Sequence, residues 1–126
     1  MFTLLLSQRK QESSEMKQVT ELTTIEMVDE FITSNELSFL YVFTPECSTC
    51  HAIFPKLREV LEHYPQINLG RVDATQVEAV AERFLILAAP ILLLMINGKE
   101  YVRADRFVRF ELLDEKLSRI YKMYKR

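Results

Sequence analysis

An α/β domain, with a central mixed β-sheet flanked by helices on both faces, is the fold this sequence predicts. Three observations lead there. Short apolar runs rich in β-branched and aromatic residues alternate with stretches whose apolar residues recur at helical spacing. The resulting order, β-α-β-α-β-α-β-β-α, starts with crossovers that make strands parallel. It ends with one tight hairpin at Asn97-Gly98. Helices from such crossovers must cover both faces of the sheet.

Residues 1–17 are expected to be a loosely ordered extension, because Ser7 to Lys17 is polar and aperiodic. The domain is then residues 18–126. Val19 to Leu22 reads as a short strand. Thr23 or Thr24 caps a helix whose Ile25, Val28, Phe31 and Ile32 form one buried stripe, and Asn35 ends it. Leu37 to Thr44 is nearly all apolar, which predicts a central strand covered on both faces. A helix follows from Cys47 to Tyr64, carrying Ile53, Leu57, Val60, Leu61 and Tyr64 inward; Pro55 kinks it and Pro65 marks its end.

Ile67 to Val72 is read as another strand, with a turn starting at Asp73. Gln76 to Leu85 is a helix with Val77, Val80, Ala81 and Phe84 inward. Ala89-Pro90 breaks the chain before an apolar strand, Ile91 to Ile96, and the hairpin pairs that strand with Lys99 to Ala104. Phe107 to Tyr124 is the last helix, with Phe110, Leu113, Leu117, Ile120, Tyr121 and Tyr124 on one side. Lys122, Lys125 and Arg126 suit its negative C-terminal end.

A length of 126 residues allows one domain with a real core, and 48% hydrophobic with 27% charged residues is a globular composition. A net charge of −2 gives no reason to expect nucleic acid or an anionic membrane as partner. The start, Met1 to Leu6, has no positive residues ahead of it, a short apolar run and no small-residue cleavage site. Those features of an exported chain being missing, the expected location is cytoplasmic. A frayed tail or an early start codon is the alternative origin of that start.

The chemistry centres on Pro45-Glu46-Cys47-Ser48-Thr49-Cys50-His51, which holds both cysteines of the chain. Thiols at i and i+3 on the first turn of a helix can close a small disulfide. The first also faces the free amides and positive dipole end of that helix, which favour a thiolate. C-x-x-C is equally half of a tetrahedral zinc site, which His51 could extend, although no other ligand cluster supports it.

The chain resembles the thioredoxin family over roughly residues 18–124, on features that occur in the family's order. They are the apolar strand running into Cys47-Ser48-Thr49-Cys50, Pro55 five residues later, Arg71-Val72-Asp73 at the next strand's end, Ala89-Pro90 before Ile91 to Leu94, and the Asn97-Gly98 hairpin. The resemblance implies the thioredoxin-like fold, a cis peptide at Pro90 facing the cysteines, and a Cys47–Cys50 pair cycling between dithiol and disulfide. Cys47 would be the nucleophile and Cys50 the resolving thiol. It implies no metal or organic cofactor, a monomer, a disulfide-containing protein or low-molecular-weight thiol as substrate, and a reductase as electron donor.

Several residues depart from the family's pattern. Glu46 stands in place of the usual tryptophan, and its charge beside Cys47 should disfavour the thiolate. Tyr41 stands where the family buries an aspartate thought to serve the resolving thiol, and a phenol is a poor base near neutrality. Its other reading is a core aromatic with a bonded hydroxyl. Arg106 aligns with a glycine of the substrate groove, which Glu46, Ala89 and Pro90 would also line. His51 is a candidate to tune the thiolate or a plain surface residue, and Arg71 is expected to pair with a carboxylate.

Two functions of different class follow. One is a cytoplasmic thiol–disulfide oxidoreductase that reduces protein disulfides. The other is a thioredoxin-like module that binds a partner in the altered groove, or senses redox state, with little turnover. A peroxide scavenger lacks the separate peroxidatic cysteine it needs.

Overall fold

The computed structural model describes residues 16–124. The expected extension at 1–17 therefore lies outside the described residues except for Met16 and Lys17, as do Lys125 and Arg126 at the other end. Lys17, at that margin, is held: its ammonium donates to the Tyr64 carbonyl at 2.8 Å, and its carbonyl accepts from the Arg58 guanidinium.

The elements run β1 (Val19–Leu22), α1 (Ile25–Ser34), β2 (Leu37–Phe43), α2 (Ser48–Leu61), β3 (Asn68–Asp73), α3 (Ala79–Arg83), β4 (Ile91–Ile96), β5 (Lys99–Ala104) and α4 (Phe110–Tyr124). They form one mixed sheet of strand order β1-β3-β2-β4-β5. β3 lies parallel to both β1 and β2, while β4 runs antiparallel to β2 and β5 antiparallel to β4. The predicted fold class holds.

Strand β2 sits at the middle because a run without polar alternation needs cover on both faces. Its odd-numbered residues Phe39 and Tyr41 face one core, with Ile53 and Leu57 of α2 and Leu117 and Tyr121 of α4. Leu40 and Val42 face the other core, with Val28 and Ile32 of α1 and Val80 of α3. The period of two in the strand thus divides the domain into its layers. Ser38, the one buried polar side chain of β2, donates to the carbonyls of Phe31 and Asn35.

Local chemistry sets the ends of the elements. The Thr24 hydroxyl caps α1 by accepting the Met27 N–H at 3.1 Å. Three expected helices prove shorter. α3 covers five residues rather than Gln76 to Leu85. The Asp73 carboxylate and carbonyl take the amides of Thr75 and Val77 into a turn, and Leu85 ends the helix at φ 54°. α2 stops at Leu61, where the Tyr64 amide reaches only three residues back, to the Leu61 carbonyl. α4 starts at Phe110 because Asp105 holds the amides of Phe107 and Val108 in a turn of its own. Among the described residues, no helix is long and apolar enough to cross a membrane.

Candidate active site

The cysteine turn leaves the carboxyl end of the central strand, between β3 on one side and β4 on the other, where open α/β sheets present their chemistry. Thr44, Pro45 and Glu46 carry the chain from β2 to α2, and the Thr44 carbonyl accepts the Cys47 N–H at 3.2 Å. Cys47 is the residue before the helix, with extended backbone, and its Sγ accepts the Cys50 N–H at 3.0 Å. Sulfur thus does what a serine or aspartate oxygen usually does at a helix start. The expected helix start at Cys47 is corrected to Ser48, Cys47 being the cap. Cys47 and Cys50 are joined as a disulfide with their Cα atoms 5.2 Å apart. Cys47 is half-buried and Cys50 is buried.

The Ala89–Pro90 peptide is cis. It lies against this turn, for Cys47 Sγ is 3.9 Å from the Ala89 carbonyl oxygen. Pro90 is buried and Ala89 half-buried, while Glu46 points its exposed side chain to solvent beside Cys47. Cys47, Cys50, Ala89 and Pro90 are therefore brought together from two parts of the chain. Arg106 lies on the exposed loop between β5 and α4, with its guanidinium 4.9 Å over the Phe107 ring.

Behind the disulfide lies a small cavity of about 210 Å³ lined by Tyr41, Cys50, His51, Phe54 and Arg71 among others. The Tyr41 hydroxyl donates to the Cys50 carbonyl at 2.5 Å, and its ring packs on Phe54 at 5.0 Å between centroids. Burial pushes the Tyr41 phenol well above its usual range, and the nearby Arg71 guanidinium offsets this only in part. Arg71 stacks over Phe54 at 4.8 Å and over Phe43 at 5.4 Å, and pairs with the Glu21 carboxylate at 2.5 Å. His51 turns to the loop: its Nε2 is 2.7 Å from the Pro45 carbonyl, which fixes that nitrogen as the donor.

Sequence reading missed two features of this surface. Phe107, which the helical period puts at the start of the last helix, is 73% exposed in the loop before it, and Leu87, outside every predicted element, is 101% exposed. The polar Arg103-Ala104-Asp105-Arg106 segment ahead of Phe107 was the available signal for the first. Nothing local marked the second. Among the described residues, no group of three or more His, Cys, Asp or Glu side chains is placed to hold a metal ion.

Comparison with known proteins bears on the same pair. The thioredoxin family model matches residues 7–117. A thioredoxin-like protein of Bacillus subtilis (strain 168), YdfQ, is 44% identical over 109 residues, covering 86% of this chain and 97% of that protein. Thioredoxin-1 of Saccharomyces cerevisiae is 31% identical over 85 residues, covering 68% of this chain and 82% of its own. Among solved structures, thioredoxin of Trypanosoma brucei brucei superposes with a TM-score of 0.74 over 86% of this chain and 96% of that one, at 17% identity. That last likeness concerns the fold. With the family model matched along most of its length, the chain belongs to the thioredoxin family, and its Cys47–Cys50 disulfide supports a thiol–disulfide redox function.

Proposed function

We propose that the chain reduces protein disulfides in the cytoplasm, with Cys47 as nucleophile and Cys50 as resolving thiol. The observation that carries this reading is the Cys50 N–H donating to Cys47 Sγ at 3.0 Å at the start of α2. A sulfur held against the free amides of a helix is favoured as thiolate, and half-exposure leaves it open to a partner. Burial keeps Cys50 for the second step.

In the dithiol state the Cys47 thiolate attacks one sulfur of a substrate disulfide. A bond forms between them, the substrate S–S bond breaks, and the other substrate sulfur leaves as a thiolate that takes a proton from water. Cys50 gives its proton to water and attacks Cys47 Sγ, which closes the intramolecular disulfide and expels the first substrate sulfur. The substrate has gained two electrons and two protons. A flavoprotein reductase or a low-molecular-weight thiol returns them to the pair, and no metal or organic cofactor takes part.

In this cycle Ala89, beside Pro90, offers backbone groups to an extended substrate segment, with Glu46 and Arg106 at its flanks. Tyr41 holds the first turn of α2 through the Cys50 carbonyl, and His51 braces the loop at Pro45. The chain acts as a monomer. The altered groove residues Glu46 and Arg106 support a second reading, a partner-binding or redox-sensing module with little turnover.

Insulin reduction by wild type and Cys47→Ser, with equilibration of the wild type against glutathione, separates the two. The reductase reading expects wild type to reduce insulin and the variant to be inactive. A wild type without activity and without a dithiol–disulfide equilibrium assigns the chain to the binding module.

A further inference from the structure

A groove of about 440 Å³ runs between α2 and α4. It is lined by Glu59 and Val60 of α2, by His63 just past that helix, and by Phe110, Glu111 and Asp114 of α4. Val60 and Phe110 are half-buried apolar side chains, and Glu59, His63 and Glu111 around them are exposed. The Asp114 carboxylate accepts the Tyr64 hydroxyl at 2.5 Å.

No cation of the described residues answers these three carboxylates. The ion pairs found there join Arg71, Arg83 and Arg103 to Glu21, Asp29 and Glu100. Arg58, next to Glu59 on α2, gives its Nε and Nη2 to the Lys17 carbonyl and lies 6.0 Å over the Phe54 ring. The Lys17 ammonium is itself taken by the Tyr64 carbonyl at 2.8 Å. Nor do the carboxylates converge on one point: no group of three or more His, Cys, Asp or Glu side chains among the described residues is placed to hold a metal ion. An apolar floor with carboxylates around it fits an occupant that is both apolar and basic.

The start of the chain has that composition. Phe2 and Leu4-Leu5-Leu6 are followed by Arg9-Lys10. Its attachment point is also beside the groove. The described residues begin at Met16, and Lys17 is fastened to Arg58, one residue from Glu59, and to Tyr64, one residue from His63. Tyr64 in turn bonds Asp114, so one tyrosine separates the Lys17 ammonium from the groove lining. Fifteen residues reach about 50 Å when extended and roughly 22 Å when helical. The 14 residues of α2 are about 21 Å long. The segment is therefore long enough to lie along the groove in either conformation.

We propose that residues 1–15 occupy the groove between α2 and α4. Phe2 and Leu4 to Leu6 cover Val60 and Phe110, while Arg9 and Lys10 meet Glu59, Glu111 and Asp114. The segment then straps α4 to the helix that Cys47 caps. Removing the apolar run from water supplies most of the attraction, and the ion pairs set its position, since exposed pairs contribute little energy. The inference does not depend on the reductase reading.

A water-soluble carbodiimide, which joins an ammonium to a carboxylate where the two touch, tests this on the full oxidised chain. Mixing isotope-labelled and unlabelled protein before coupling separates bonds within one chain from bonds between two. Peptide masses are expected to show Lys10 joined to Glu59, Glu111 or Asp114 of its own chain. Lys10 joined only to other carboxylates, or to none, overturns the proposal. Lys10 joined to these carboxylates only between differently labelled chains assigns the groove to a second copy and overturns it as well. Thermal unfolding supplies the energetic arm. Arg9→Glu with Lys10→Glu should lower Tm by about 3 °C at low salt. Adding Glu59→Lys and Glu111→Lys to that variant should raise Tm again, a gain that misfolding cannot imitate. Leu5→Ser with Leu6→Ser should lower Tm by at least about 4 °C. A Tm that none of these changes moves places the segment outside the groove and overturns the proposal.

Discussion

The Tyr41 hydroxyl donates to the backbone carbonyl of Cys50 at 2.5 Å, which ties the central strand to the first turn of the helix that Cys47 caps. The phenol spends its single proton on that bond. Packing against Phe54 keeps the ring in a dry place, and burial raises its ionisation well above the usual range. Tyr41 is thus a core aromatic whose hydroxyl is bonded to the backbone of Cys50.

Replacing Tyr41 by Phe is accordingly expected to act on stability before rate. Losing one buried hydrogen bond costs about 1 kcal/mol, readable as a lower urea midpoint at pH 7. Single-turnover reduction of a substrate disulfide should show no comparable loss. A rate that falls steeply while the urea midpoint holds would assign proton transfer to the phenol.

The same variant carries a pH signature. The folded chain holds the Tyr41 proton more tightly than the unfolded chain does, so its contribution is complete below about pH 10, the ordinary tyrosine value. It declines as pH rises from there toward the higher folded-state value. The stability gap between wild type and Tyr41→Phe should thus be constant from pH 7 to 9 and narrow above. Urea titrations across that range measure it, and a gap that widens with alkali contradicts the assignment.

Glu46 is exposed and one residue from Cys47. A carboxylate there opposes a neighbouring thiolate, so Glu46→Gln should move the thiolate absorbance titration of the reduced protein to lower pH. Salt should shrink the difference, since the two groups interact through solvent. An unchanged or upward midpoint counts against any tuning role for Glu46.

Gly70 of β3 faces the side chains of Leu22 in β1 and Phe31 in α1. A Cβ added there would meet Leu22 Cδ1 at 2.6 Å and Phe31 Cε2 at 2.9 Å. Gly70→Ala should then destabilise the fold by about 2 kcal/mol through overpacking. Combining it with Leu22→Ala relieves the closest contact, so the double variant should lose less than the sum of the two. Thermal unfolding of the four proteins provides the comparison.

Most of the architecture was legible in the residues. Leu37 to Thr44 announced a strand covered on both faces, Asn97-Gly98 a hairpin, and Thr23 or Thr24 with Ile25, Val28 and Ile32 a capped, one-sided helix. The ends of α3 and α4 were not legible, because Asp73 and Asp105 use their side chains to hold turns that helical periodicity does not register. Of the site, the pairing of Arg71 with a carboxylate was anticipated but not its identity as Glu21, fifty residues away.

What could be read from the chain alone was local: the period of apolar residues, the turn types, the two thiols three residues apart at a helix start. These depend on bonds and contacts within a few residues, and each leaves its mark in the nearby sequence. What the residues touch across the domain had to come from the assembled sheet. Tyr41 and the Cys50 carbonyl, Cys47 and Ala89, and Arg71 over Phe54 meet only because β2, β3 and β4 lie side by side. Leu87 and Ile86 are chemically alike, and one is in solvent while the other packs on the core. That difference belongs to the surface each meets after folding, which no neighbouring residue encodes.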